Sequence, residues 1–173
     1  NKLLFIEKIS SRRPLSDAGY IEKLNMILNK HGLSAEAFEG SMISSVVPSV
    51  TAVFSSALET FLGRKPLILS HKLDLGYEIC TEFPEKVGCD RLADIAGAIS
   101  RYSLPFVTID LGTATTFNVL DENRRFLGGL ILPGVGTAHR ALLGKTAQLP
   151  KGDIHMPAHT IGANTQECIT GGM

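Results

Sequence analysis

Four consecutive residues, Gly88-Cys89-Asp90-Arg91, combine the functional groups that a substrate loop needs. A glycine allows close backbone approach. An aspartate can accept a hydroxyl proton, and an arginine can grip a carboxylate through two parallel hydrogen bonds. Read alone, the same residues are also an ordinary helix start, with Asp90 as the cap and Arg91 solvated. A second cluster follows at Asp110-Leu111-Gly112-Thr113-Ala114-Thr115-Thr116, an acid and a run of small and hydroxyl residues after an apolar stretch. Backbone N–H groups and hydroxyls at such a turn can reach phosphoryl oxygens, and a carboxylate can hold the accompanying cation. A plain turn aspartate fits equally well. Asn164-Thr165 places a hydroxyl at a helix start, where a cap or an anion site would lie.

Other chemistries are excluded by spacing and composition. Gly144-Lys145-Thr146 resembles the end of a phosphate loop, but that loop requires a glycine five residues earlier, where His139 stands in a helical pattern. The five histidines show no paired spacing and read as surface or loop residues. Three cysteines, Cys80, Cys89 and Cys168, lack C-x-x-C spacing, which favours a reduced, cytoplasmic protein without a zinc site. Seventeen basic and seventeen acidic residues balance to zero net charge without long like-charge runs, so no nucleic-acid or membrane partner is expected. No apolar run approaches the length of a membrane span, and the amino end does not read as a signal peptide.

The elements that must position these residues follow from periodicity. Residues 2–9 read as a strand. A helix is expected after Ser16-Asp17, with Ile21, Leu24, Leu28 and His31 on one face and Gly32 at its end. A short helical turn after Ser34 precedes a strand at 41–47. A helix then opens at Pro48-Ser49 and stops at Gly63. Strands at 66–70 and 77–80 lead to a helix capped by Asp90, with Leu92, Ile95, Ala96, Ile99 and Tyr102 on its apolar face. After a boundary at 103–105, three strands are expected: a buried run at 106–109, an alternating run at 115–120, and 126–132 with Gly128-Gly129. A turn at 121–124 joins the last two. A helix from Pro133-Gly134, a loop over 149–163 and a capping box at Asn164-Thr165-Gln166-Glu167 complete the chain. Strands alternating with helices and then forming a hairpin series predict an α/β fold with mixed sheets.

Five elements in this order resemble the type III pantothenate kinase family: Ile43-Ser44-Ser45-Val46-Val47-Pro48; Pro84-x-x-x-Gly88-x-Asp90-Arg91; Asp110-x-Gly112-Thr113-Ala114-Thr115-Thr116-Phe117; Gly128-Gly129-x-Ile131-x-Pro133-Gly134; and Asn164-Thr165. The resemblance covers essentially the whole chain. It implies two ribonuclease-H-like domains of the actin-like ATPase type, both incomplete here, at 1–103 and 104–173. It also implies ATP-dependent phosphorylation of pantothenate, the first step toward coenzyme A, usually by a homodimer. By position, Asp90 would be the catalytic proton acceptor. Gly88, Cys89, Asp90, Arg91 and Thr165 would bind pantothenate, with Arg91 placed for its carboxylate. Gly112 and Thr113 would contact ATP, and Asp110 would hold a monovalent cation, potassium or ammonium; Mg2+ would accompany ATP.

The departures are specific. The family begins with a strand ending in Asp-x-Gly-Asn-Thr, which this sequence does not contain. Its residues 2–9 match the family's second strand, so the 173-residue chain by itself is expected to be inactive. Thr81-Glu82-Phe83 stands where Tyr-Asp-Asn is common, and Cys89 stands where alanine is usual. The alternative is a non-enzymatic homologue acting as a regulatory or transcriptional accessory factor. Retention of Asp90, Arg91, Asp110 and Thr113 weighs against it.

Overall fold

A computed structural model of the chain describes residues 3–10, 14–145, 155 and 159–173. Helix α1, Asp17–Lys30, starts where a serine can cap it: Ser16 Oγ accepts the Gly19 N–H at 3.2 Å. Helix α2, Pro48–Leu62, opens on a proline, whose missing N–H costs nothing in the first turn. It ends at Gly63, which takes φ of 68° and donates its N–H to the Glu59 carbonyl at 2.9 Å. The two helices pack through Tyr20 and Phe54, whose rings meet edge-on with centroids 5.0 Å apart. Leu28, Ala57 and Leu58 are buried. The expected turn after Ser34 is a short 3-10 helix, Ala35–Ala37.

The strands of this part are shorter than periodicity suggests. Strands β1, Met42–Ile43, and β2, Leu67–Ile68, pair in parallel as a two-stranded sheet rather than running over 41–47 and 66–70. Beyond Ile43 the ladder is replaced by a local turn, in which Ser45 Oγ accepts the Val47 N–H at 3.2 Å. Residues 3–10 form no strand, because strand propensity needs a ladder partner and none is present among the described residues. Side chains anchor this segment to α1 instead. Phe5 stacks on His31 at 3.8 Å, and Glu7 accepts from Lys30 Nζ at 2.7 Å and lies 2.8 Å from His31 Nε2. Those hydrogen bonds hold the Glu7 carboxyl below its ordinary value.

The second sheet has the order β3-β6-β5-β4. β3 is Glu78–Ile79, β4 Phe106–Leu111, β5 Ala114–Leu120 and β6 Arg125–Pro133. β3 runs parallel to β6, and the other two pairings are antiparallel, so the sheet is mixed as expected. Leu120 and Phe126 are fully buried, and β5 alternates with Thr116, Asn118 and Leu120 inward. The expectation of a buried run at 106–109 is corrected. β4 is an edge strand, and Val107 and Ile109 share an exposed face with Leu130 and Leu132. At the expected turn, Arg124 adopts φ of 60°, and Asp121 Oδ1 accepts the N–H groups of Asn123 and Arg125 at 2.9 and 2.8 Å. Asp121 Oδ2 takes the Arg125 guanidinium at 2.7 Å. A bulge at Val119/Leu120 sets Leu127 apart from the ladder, with Gly128 beside it at φ of 114°.

Helix α3, Cys89–Ile99, buries Leu92, Ile95 and Ala98; Tyr102, expected on that face, lies beyond the helix and is 68% exposed. Helix α4 is Val135–Lys145 and lies against β5; it buries His139, which sequence reading had placed on the surface. Gly144-Lys145 ends this helix, as the rejection of a phosphate loop requires. Helix α5, Thr165–Gly171, has the expected cap, Asn164 Oδ1 accepting the Glu167 N–H at 3.0 Å, but Glu167 accepts the N–H of Ala163 at 2.8 Å, one residue before the cap, where a capping box would use that of Asn164. Most of the loop expected over 149–163 lies outside the described residues. Contacts divide the chain into two compact units, Asn1–Asp74 with Glu85–Ala93, and Leu75–Pro84 with Asp94–Met173.

Candidate functional site

The first unit holds the Gly88–Arg91 residues together at the start of α3. The helix begins at Cys89, so Asp90 sits in its first turn and is not its cap, a correction to the sequence reading. An acid there suits the positive end of the helix. Asp90 Oδ1 accepts the Arg91 N–H at 2.8 Å, and the residue remains exposed. Gly88 makes room for that carboxylate, because a Cβ at position 88 would collide with Asp90 Oδ1. Cys89 donates its thiol to the Ser45 carbonyl at 2.8 Å, tying this segment to the β1–α2 connection.

Two hollows adjoin the segment within the same unit. Asp90 lines one of about 490 Å³ with Ser44, Ser45, Ser49 and three valines, Val46, Val47 and Val50. A second, of about 330 Å³, is lined by Gly88, Cys89, Glu85, His71 and Ser70, and shares Ser45 and Val46 with the first. Hydroxyls and branched apolar groups around one carboxylate suit a small hydroxylated ligand with a compact hydrocarbon part. Sequence reasoning quoted the Ser44–Val47 run only as part of a pattern.

The second unit holds the other cluster. β4 and β5 are joined by a tight turn in which Gly112 N–H donates to the Ala114 carbonyl at 2.9 Å. The first turn of α4 clamps this turn from beside it. The Thr113 carbonyl accepts the Gly134 N–H at 3.0 Å and Thr137 Oγ1 at 2.8 Å. Gly134 is required there, since a Cβ would run into the carbonyls of Gly112 and Thr113. The Gly112 and Gly134 N–H groups are thus engaged within the fold, and residues 111–113 of the turn lie exposed at the surface. Asp110 is exposed, and its Oδ2 would lie 3.8 Å from a Cβ at Gly112. Thr165 is exposed at the first position of α5.

Among the described residues no group of three or more His, Cys, Asp or Glu side chains could cage a metal. Asp110 carries a single exposed carboxylate near the end of β4. A divalent ion would need phosphate oxygens to complete its shell. No helix among the described residues is long and apolar enough to cross a membrane.

A family model described as type III pantothenate kinase matches residues 1–173. Curated relatives carry the same description. The Bifidobacterium animalis subsp. lactis protein is 38% identical over 166 residues, covering 96% of this chain and 66% of its own length. The Thermomicrobium roseum protein is 36% identical over 163 residues, 94% of this chain and 62% of its own. The Finegoldia magna protein is 34% identical over 173 residues, the whole of this chain and 66% of its own. The chain therefore spans 62% to 66% of the length of these relatives. A solved Campylobacter jejuni chain, described as a Baf family transcriptional activator, superposes with a TM-score of 0.53 at 18% identity, covering 86% of this chain and 62% of its own. At that identity the likeness concerns the fold alone.

Proposed function

The chain belongs to the type III pantothenate kinase family, and from that membership we propose that it serves ATP-dependent phosphorylation of pantothenate in coenzyme A biosynthesis. The observation that carries the proposal is the placement of Asp90. It is an exposed carboxylate at a hollow of hydroxyls and valines, beside a glycine that leaves it room. Pantothenate matches that lining: its hydroxyls meet Ser44, Ser45 and Ser49, and its gem-dimethyl carbon meets the valines.

Asp90 accepts the proton of the primary hydroxyl as its oxygen attacks the γ-phosphorus of ATP. The bond to the bridging oxygen breaks, and ADP departs. Gly88 and Cys89 present backbone to the substrate, and Arg91 pairs with its carboxylate. Thr165 supplies a hydroxyl to pantothenate. Gly112 and Thr113, in the turn held by α4, contact the ATP phosphates. Asp110 would hold potassium or ammonium, and that cation and the Mg2+ accompanying ATP would offset charge on the transferring group. Positioning and charge neutralisation carry most of the rate, and the base is a modest contributor. The wider assignment has two ribonuclease-H-like domains, 1–103 and 104–173, in a cytoplasmic homodimer.

The test is ADP formation by the full-length protein that requires pantothenate, Mg2+ and potassium or ammonium together, with Asp90→Asn lowering turnover about 100-fold at unchanged fold. Wild-type turnover in that variant removes Asp90 from the mechanism. A second reading, a non-enzymatic regulator, draws only on the description of the Campylobacter jejuni chain. Calorimetry with pantothenate separates the two, since only a kinase requires binding.

A further inference from the structure

The thiol of Cys89 crosses 44 residues of sequence to reach a backbone carbonyl, that of Ser45, at 2.8 Å. Ser45 is a junction. Its hydroxyl accepts the Val47 N–H at 3.2 Å, and the Val47 carbonyl in turn accepts Thr51 N–H at 3.0 Å and Thr51 Oγ1 at 2.9 Å. The orientation of the Ser45 peptide therefore sets how the chain enters α2. Ser45 and Val46 also form the lining common to the Asp90 hollow and to the hollow beside Gly88 and Cys89.

We infer that Cys89 is a positioning residue, acting through its thiol on the Ser45 carbonyl to fix the wall on which the substrate hydroxyls rest. The inference rests on the pantothenate kinase reading and assigns Cys89 a role distinct from contact with substrate. A thiol is a weak donor, and one such bond shifts an equilibrium by a few-fold. Loss of the tie leaves Asp90 and Arg91 in place and loosens only the wall, so it acts on binding before it acts on chemistry.

The test compares Cys89→Ala and Cys89→Ser in steady-state assays with pantothenate varied, and in amide hydrogen exchange over 45–47. Cys89→Ala is expected to raise KM for pantothenate about fivefold at unchanged kcat and unchanged KM for ATP, with faster exchange. Cys89→Ser, which keeps a donor, stays within about twofold of wild type on both readouts. Equal behaviour of the two variants overturns the inference, whether both match wild type or both lose affinity, because the donor would then be irrelevant. A fall in kcat with KM unchanged also overturns it. Absence of pantothenate-dependent turnover in the full-length wild-type protein refutes the kinase reading instead, and the exchange comparison then decides the tie alone.

Discussion

Gly88→Ala isolates the role of the Asp90 carboxylate without touching it. A Cβ at position 88 meets three atoms: it collides with Asp90 Oδ1, and stands 3.5 Å from Asp90 Cγ and 3.8 Å from Val46 Cγ1. The last two are ordinary contacts, and Gly88 does not occupy the left-handed region, so the backbone tolerates alanine. Only the tip of the aspartate has to move. Rotating it off its rotamer, with loss of the hydrogen bond from Arg91 N–H, costs about 1 kcal/mol. For a chain of this size that lowers the melting temperature by about 2–4 °C. A carboxylate displaced by about 1 Å from its working position costs about 100-fold in rate. The assay is coupled ADP release with Gly88→Ala, Asp90→Asn and the double variant. If the glycine acts only by making room for Asp90, each single variant loses about 100-fold. The pair also loses about 100-fold, far from the 10,000-fold of independent effects. Additive losses, or wild-type turnover in Gly88→Ala, refute the reasoning.

Three further perturbations test the frame around the site. Gly134→Ala meets backbone, with Thr113 O at 2.8 Å and Thr113 C at 2.9 Å from the new Cβ, so nothing flexible can yield; a stability loss of about 2 kcal/mol in urea and a raised KM for ATP with pantothenate unaffected are expected. Burial resists ionisation of Asp121, but hydrogen bonds from the Arg125 backbone and guanidinium and from Asn123 N–H outweigh it, and its carboxyl lies below the ordinary 3.8. Its stabilising contribution is therefore full above that value and lost as pH falls through the lower folded one, so urea midpoints measured from pH 5 to pH 2.5 should fall less steeply in Asp121→Asn. Asn164→Ala removes the cap of α5 and should cost about 1 kcal/mol, read by urea denaturation.

Helix boundaries were legible because their signals are local. Ser16, Pro48 and Gly63 act on the backbone within one turn of themselves, and α1 and α2 start and stop there. The hairpin strands were legible for a related reason: the Asp121 turn and alternation along β5 bring neighbouring residues into register. Strands whose partners are distant were not. Residues 3–10 have the composition of a strand and no ladder, and β1 and β2 keep only two residue pairs. Burial of β4 failed on the same ground, since Val107 and Ile109 lie on a face whose covering depends on residues remote in sequence.

The site divides along the same line. Asp90 and Arg91 could be picked out by type, yet type alone placed Asp90 as a helix cap. The structure starts the helix two residues earlier, at Cys89 rather than Arg91, and turns that carboxylate toward the Arg91 N–H. What sequence could not supply is the reason for the neighbours. Gly88 is a glycine because of an oxygen two residues on, and Gly134 because of two carbonyls more than twenty residues back. In both places the glycine's function is to be absent from a volume that a carboxylate or the carbonyls of a tight turn occupy. That requirement exists only once the chain has folded, and a pattern of residue types records it without explaining it. The Gly88→Ala and Gly134→Ala variants therefore test more than stability. One should fail through an aspartate that can move and the other through carbonyls that cannot, so lost turnover at nearly unchanged stability in the first, and lost stability with a raised KM for ATP in the second, is the outcome that ties each glycine to its cause.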